Sequence, residues 1–221
     1  MLQLHYHPSD ASLIPHILLE ELGVPFELKL VDRANNAQKS AAYLKLNPNG
    51  LIPVLVDGDV VLYETAAILL HLADCHPEAG LAPALATAQR AEYYKWMLWL
   101  SNTFQADFKT YYYAQRYVAP GNTTGAAEVK ALAEERLTGV LTQLDTQLSK
   151  SGGPWLLGAQ YSALDCLAFV LCCWARNFKR PARDAAAYPH LAPYLRRMLA
   201  RPAAQRAFAT EQLPASFFGT D

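Results

Sequence analysis

Hydrophobic and polar positions alternate with two different periods in the first eighty residues. Residues 2–6, Leu-Gln-Leu-His-Tyr, switch side at every position, as a half-buried strand does. Residues 12–23 carry apolar side chains at helical spacing and stop at Gly23. Residues 26–31 read as a second strand and 39–46 as a short helix ended by Asn47-Pro48. Residues 54–62 form a hairpin pattern around Asp57-Gly58-Asp59, and 64–76 return to the helical period. The order strand, helix, strand, helix, strand, strand, helix predicts one parallel crossover and a hairpin. Together they make a mixed four-stranded sheet with three helices. Residues 77–83 hold two prolines and a glycine without periodicity, the signal of a linker. Beyond it no strand pattern occurs. Long helical patterns fill 87–118 and 126–150, separated by Ala119-Pro120-Gly121-Asn122, and shorter ones fill 164–178, 190–200 and 202–211. The tail 213–221 reads as irregular. The expected class is α+β, with an N-terminal domain at 1–78, a linker at 79–86 and an all-helical domain at 87–221.

Composition narrows this picture. A chain of 221 residues with 52% hydrophobic content can bury two cores. A net charge of −1 with 18% charged residues gives no field that would gather nucleic acid or an anionic membrane. No apolar run approaches the roughly 18 residues of a membrane span. The chain enters its first strand without a basic leader, so secretion is not expected. The cysteines Cys75, Cys166, Cys172 and Cys173 show no C-x-x-C and no metal-ligand spacing. Buried free thiols in the reducing cytoplasm are the expectation, with no metal and no tightly bound cofactor.

The most specific stretch is Asn47-Pro48-Asn49-Gly50-Leu51-Ile52-Pro53, followed by Tyr63-Glu64-Thr65. Pro53 lacks an N–H, so at the start of a strand it leaves the neighbouring Ile52 N–H and C=O free to pair with an extended ligand. Glu64-Thr65 opens an apolar helix whose first N–H groups suit a carboxylate. A peptide hook beside a carboxylate corner fits a small peptide with a free α-carboxylate. These motifs, with Ser162-Ala163-Leu164-Asp165 and with Tyr188-Pro189-His190-Leu191 leading to Arg201-Pro202-Ala203, resemble the cytosolic glutathione transferases over essentially the whole chain. The likeness is to bacterial types near the beta, theta and nu classes. It implies a thioredoxin-like N-terminal domain with a cis Ile52–Pro53 bond, a helical C-terminal domain, and a homodimer.

From the resemblance, Ile52, Pro53, Glu64 and Thr65 bind glutathione, with Thr65 donating to the γ-glutamyl carboxylate and Glu64 pairing the amine. Ser9, in the loop after the first strand, falls on the catalytic Ser or Thr and stabilises the thiolate. A thiol needs such help, since its reference pKa is about 8.5. Ser12 is a further candidate, although its residue type also suits a helix cap. Gln38 and Lys39 are candidates for the glycine end. Phe104, Phe108 and Tyr112, with Trp174, are candidates for the hydrophobic cosubstrate site. Three positions depart from related patterns: Ala11 replaces the beta-class cysteine, Gly50 a histidine and Ala66 an arginine. Without a thiol in the Ser9 loop, mixed-disulfide chemistry lacks its nucleophile. His5 and His7 lack the Gly-x-Ser-x-Gly elbow of a hydrolase. Ser162 and Asp165 read as a helix cap.

The expected function is a glutathione S-transferase joining the glutathione thiolate to a small hydrophobic electrophile, with peroxide reduction as a close variant. Two alternatives stand beside it: a transferase-like binding protein without turnover, and a specialised glutathione-dependent isomerase or dehalogenase. The expected partners are glutathione, the electrophile and a second copy of the chain, with neither nucleic acid nor membrane.

Overall fold

The strand Leu2–Tyr6 (β1) lies between Phe26–Leu30 (β2) and Val54–Asp57 (β3), and Val60–Tyr63 (β4) closes the sheet in the order β2-β1-β3-β4. A computed structural model describes residues 1–176, 178 and 183–214. β1 runs parallel to β2, with Leu2 opposite Phe26 and Tyr6 opposite Leu30. It runs antiparallel to β3, with Gln3 opposite Val56 and His5 opposite Val54. β3 and β4 form the hairpin, turning at Gly58 with φ +57°. The expected mixed sheet is therefore present.

Side-chain alternation along β1 builds two layers. The even positions turn toward the helix Leu13–Leu22 (α1): Leu4 is fully buried and Tyr6 meets His16 edge-on. His5 turns the other way, against Tyr43 of the short helix Ala41–Leu44 (α2). Apolar spacing on α1 puts Leu13, Ile14, Ile17 and Leu18 into the core, where Ile68, Leu69 and Leu72 of Thr65–Cys75 (α3) are also buried. Gly23 ends α1 at φ +66°, as its position predicts. Under α2, Val31, Tyr43 and Val54 make a smaller apolar cluster with Ile52.

In the second half, Ala88–Trp99 (α4) and Gln105–Tyr112 (α5) are joined by the π-helical segment Leu100–Phe104. The single helix expected at 87–118 is thus interrupted. The wide turn re-phases the helix, so that Tyr93, Trp96, Met97, Leu100, Phe104 and Phe108 are all buried. After α5 the backbone leaves the helix at Tyr113, with φ −125°. Thr123–Lys150 (α6) starts three residues earlier than its pattern suggests, because Asn122 Oδ1 accepts the Gly125 N–H at 2.8 Å. Ala163–Trp174 (α7) is buried along eleven consecutive residues and forms the centre of this half. Leu191–Leu199 (α8) begins where Asp145 of α6 accepts the N–H groups of His190 and Leu191 at 2.8 and 2.9 Å. Part of the predicted 164–178 helix, and the tail from 215 on, lie outside the described residues.

The last helix, Pro202–Thr210 (α9), changes the domain division. One compact unit comprises Met1–Pro83 with Met198–Pro214, the other Ala84–Arg197. The helical pattern alone places residues 198–214 in the helical domain at 87–221. In the structure they pack on α1: Arg201 pairs with Glu21 at 2.5 and 2.8 Å, and Arg206 with Glu20 at 2.5 Å. Ion pairs between segments 180 residues apart leave no local trace in the sequence.

Candidate functional site

Strand register gathers the chemistry-bearing residues of the first unit at one end of its sheet. His5 opposes Val54, so the chain after β1 runs beside the chain before β3, and Tyr63 opposes Val54 from the other side. The loop containing Ser9, the Ile52-Pro53 turn and the Glu64-Thr65 corner therefore converge. The Ile52–Pro53 bond is cis, as expected. Leu51 C=O is held by the Tyr43 hydroxyl at 2.9 Å and by Asn47 Nδ2 at 2.8 Å. Neither the N–H nor the C=O of Ile52 enters a hydrogen bond within the described residues. The hook stays open because its neighbour is pinned.

Glu64 precedes α3 at φ +73°, ψ +114°, a conformation that non-glycine residues rarely adopt. Its side chain makes no cap bond, so the first N–H groups of α3 are left for another acceptor. The side chain of Thr65 is buried at this end, while Glu64 is exposed. Gly50 has φ +60°, and a β-carbon there would stand 2.7 Å from Lys39 Nζ and 2.8 Å from Gln38 O. Only glycine fits that approach. Lys39 Nζ donates to Asn49 O at 3.1 Å, which fixes a cation against the turn. Gln38 Oε1 is buried without a hydrogen-bond partner among the described residues.

The loop after β1 is built by buried contacts. Ser9 has φ +65°, and its N–H donates to Glu211 Oε2 at 3.0 Å. The other oxygen, Oε1, lies 2.8 Å from His16 Nδ1, with both side chains fully buried. The Ser9 hydroxyl enters no hydrogen bond within the described residues, so it can donate to a ligand. Asp10 N–H is used by His7 O at 3.2 Å. Burial pushes the Asp10 carboxyl above its usual range, and Arg33, at 2.6 and 2.8 Å, opposes that shift. His5 is lowered, first by burial and then by Lys29.

Three of the candidate side chains are fully buried. Ser12 makes no side-chain cap to α1. It is fully buried, its hydroxyl donating to His7 O at 3.0 Å and accepting the His7 N–H at 3.1 Å. Phe104 and Phe108 are fully buried, with ring centres 5.1 Å apart. Tyr112 stacks on Phe108 at 6.0 Å and remains exposed, its hydroxyl donating to Trp174 O at 2.5 Å. Trp174 meets Phe108 edge-on and is half-buried. Glu211 and His16 are the residues that sequence reasoning missed. The one local signal was a histidine on the apolar face of α1, which requires a buried polar partner.

Comparisons with known proteins give the family. The family described as glutathione S-transferase, N-terminal domain, matches residues 9–75, and its C-terminal counterpart matches 106–209. A glutathione S-transferase of Xanthomonas campestris is 31% identical over 212 residues, covering 96% of this chain and 100% of that protein. Glutathione S-transferase 3 of Zea mays is 34% identical, covering 89% of this chain and 88% of that protein. A glutathione transferase homologue from Sulfitobacter, solved with bound glutathione, superposes with a TM-score of 0.85 at 28% identity. That match covers 96% of this chain and 99% of the other.

Proposed function

Because the chain belongs to the glutathione S-transferase family, we propose that it binds glutathione at the sheet end described above and joins the glutathione thiolate to a small hydrophobic electrophile. One observation carries this reading: the Ser9 hydroxyl is unspent, in the same unit as the open Ile52 backbone and the uncapped start of α3. Each part has a task. Ile52 N–H and C=O pair with the peptide backbone of glutathione. Thr65 and the first N–H groups of α3 hold the γ-glutamyl carboxylate, and Glu64 meets the amine. Lys39, fixed beside Gly50, meets the glycine carboxylate, with Gln38 as a second polar group. Ser9 donates to the sulfur and stabilises the thiolate, while the α1 dipole adds positive potential.

In the reaction the thiol proton leaves to solvent and the thiolate attacks the electrophilic carbon. A carbon–sulfur bond forms, and in a substitution the leaving group departs with its bonding electrons. Tyr112 and Trp174, each packed against Phe108, are the side chains we assign to contact with the electrophile. Reduction of a peroxide by the same thiolate belongs to this reading and consumes a second glutathione. The protein acts in the cytoplasm, where its cysteines stay reduced, and as a homodimer that covers exposed apolar side chains such as Val60, Val61 and Tyr63 of β4. Retention on immobilised glutathione, together with thiol consumption in the presence of an aromatic halide, is the expected result. Retention without consumption would identify a binding protein, and no retention would overturn the assignment of the site.

A further inference from the structure

Away from the glutathione end of the sheet, three side chains of different chemistry meet. Asp57 closes β3 at the hairpin turn, and His71 and Cys75 lie in the last two turns of α3. Four residues apart, these two share one helix face. His71 Nε2 is 2.9 Å from Asp57 Oδ2 and 3.7 Å from Cys75 Sγ. One ligand atom from each of the three lies within 4.8 Å of the others. We propose that Asp57, His71 and Cys75 form a binding site for a zinc-class divalent cation, with solvent water completing a tetrahedron.

The three donors lie within side-chain reach of one cation. With bonds of about 2.0–2.3 Å, the edges of the tetrahedron are about 3.3–3.8 Å long. Cys75 Sγ lies 3.7 Å from Nε2 and 3.8 Å from Nδ1, beside the ring and off the Nε2 lone-pair axis, so the thiol must turn about its own side-chain bonds to reach the cation. The carboxylate must withdraw by roughly half an ångström, since the cation replaces its hydrogen bond to the imidazole. The side chain of Asp57 is 37% exposed and that of His71 25%, while Cys75 is exposed, so the site is reached from solvent. Thiolate and imidazole donors select zinc over magnesium or calcium, which prefer cages of oxygen. Binding expels the Cys75 thiol proton and leaves the imidazole proton on Nδ1. The sequence pattern shows no metal-ligand spacing because one ligand comes from a strand 14 residues before the nearer helical one.

The test uses untagged full-length protein stripped with a chelator and freed of glutathione, whose thiol would compete. Zinc alone is titrated against a chromophoric chelator. One equivalent per chain is expected, weakened at least about tenfold by Cys75→Ser and by His71→Ala, and unchanged by His76→Ala. Cobalt in place of zinc should give a thiolate-to-metal charge-transfer band that Cys75→Ser abolishes. Zinc affinity indifferent to both substitutions, or a cobalt complex lacking that band, overturns the proposal.

Discussion

Ser9 combines a left-handed backbone, an N–H committed to Glu211 and an uncommitted hydroxyl. Ser9→Ala should therefore raise the pKa of bound glutathione by about one to two units while binding is largely kept, because hook and corner lie elsewhere. At neutral pH the rate should fall roughly ten- to a hundredfold and recover in part at alkaline pH. Thiolate absorbance titrated in the complex measures the shift, and an unmoved midpoint would leave activation to the backbone and helix dipole. In the proposed binding mode Thr65→Ala deletes a hydrogen bond to the γ-glutamyl carboxylate, a charged group, worth about 1.5–3 kcal/mol. Calorimetry should show glutathione affinity roughly ten- to a hundredfold weaker, and an unchanged affinity would remove Thr65 from the site. Glu211→Ala strips partners from both Ser9 N–H and His16, at about 1–3 kcal/mol for each group left unpaired. Its urea midpoint should drop clearly, and an unaltered midpoint would show that solvent replaces the carboxylate there.

At the scale of elements, α9 clasps α1 and α7 anchors the second unit. The start of α7 rests on Asp165, whose carboxylate accepts from the N–H groups of Leu156 and Ser162 at 3.1 and 2.9 Å. Complete burial pushes its pKa up to about 6, although these hydrogen bonds pull the other way. The folded state thus holds the Asp165 proton more tightly than the unfolded chain, whose value is about 4. The contribution to stability is full below about pH 4, is lost as pH rises to about 6, and is constant above that. Two pK units amount to about 3 kcal/mol. Asp165→Asn does not titrate, so the stability difference between wild type and variant should change over that interval and level off above it. Urea melts of both proteins at several pH values check this, and parallel curves would contradict it.

For the whole molecule, light scattering at micromolar concentration should report twice the 24.4 kDa chain mass. β4 is an edge strand with Val60, Val61 and Tyr63 exposed, and edges of this kind are stable when covered. A mass of one chain would refute the homodimer.

Local chemistry wrote much of this protein directly into its sequence. Period-two and helical patterns placed β1 and α1, Gly23 and the Asp57-Gly58 turn set their limits, and Asn47 to Pro53 with Glu64-Thr65 marked one end of the sheet. Those features depend on neighbours within a few residues, so they are legible in order along the chain. Contacts across long separations are not. The carboxylate of Glu211 reaches Ser9 from 202 residues away, and α9 joins the first unit through Arg201 and Arg206. Side-chain direction is equally hidden. Ser12 faces inward to His7, and the π segment before α5 leaves Phe104 and Phe108 in the core. Hydrophobic spacing tells which residues seek burial. Only packing in three dimensions decides which of them stay within a ligand's reach.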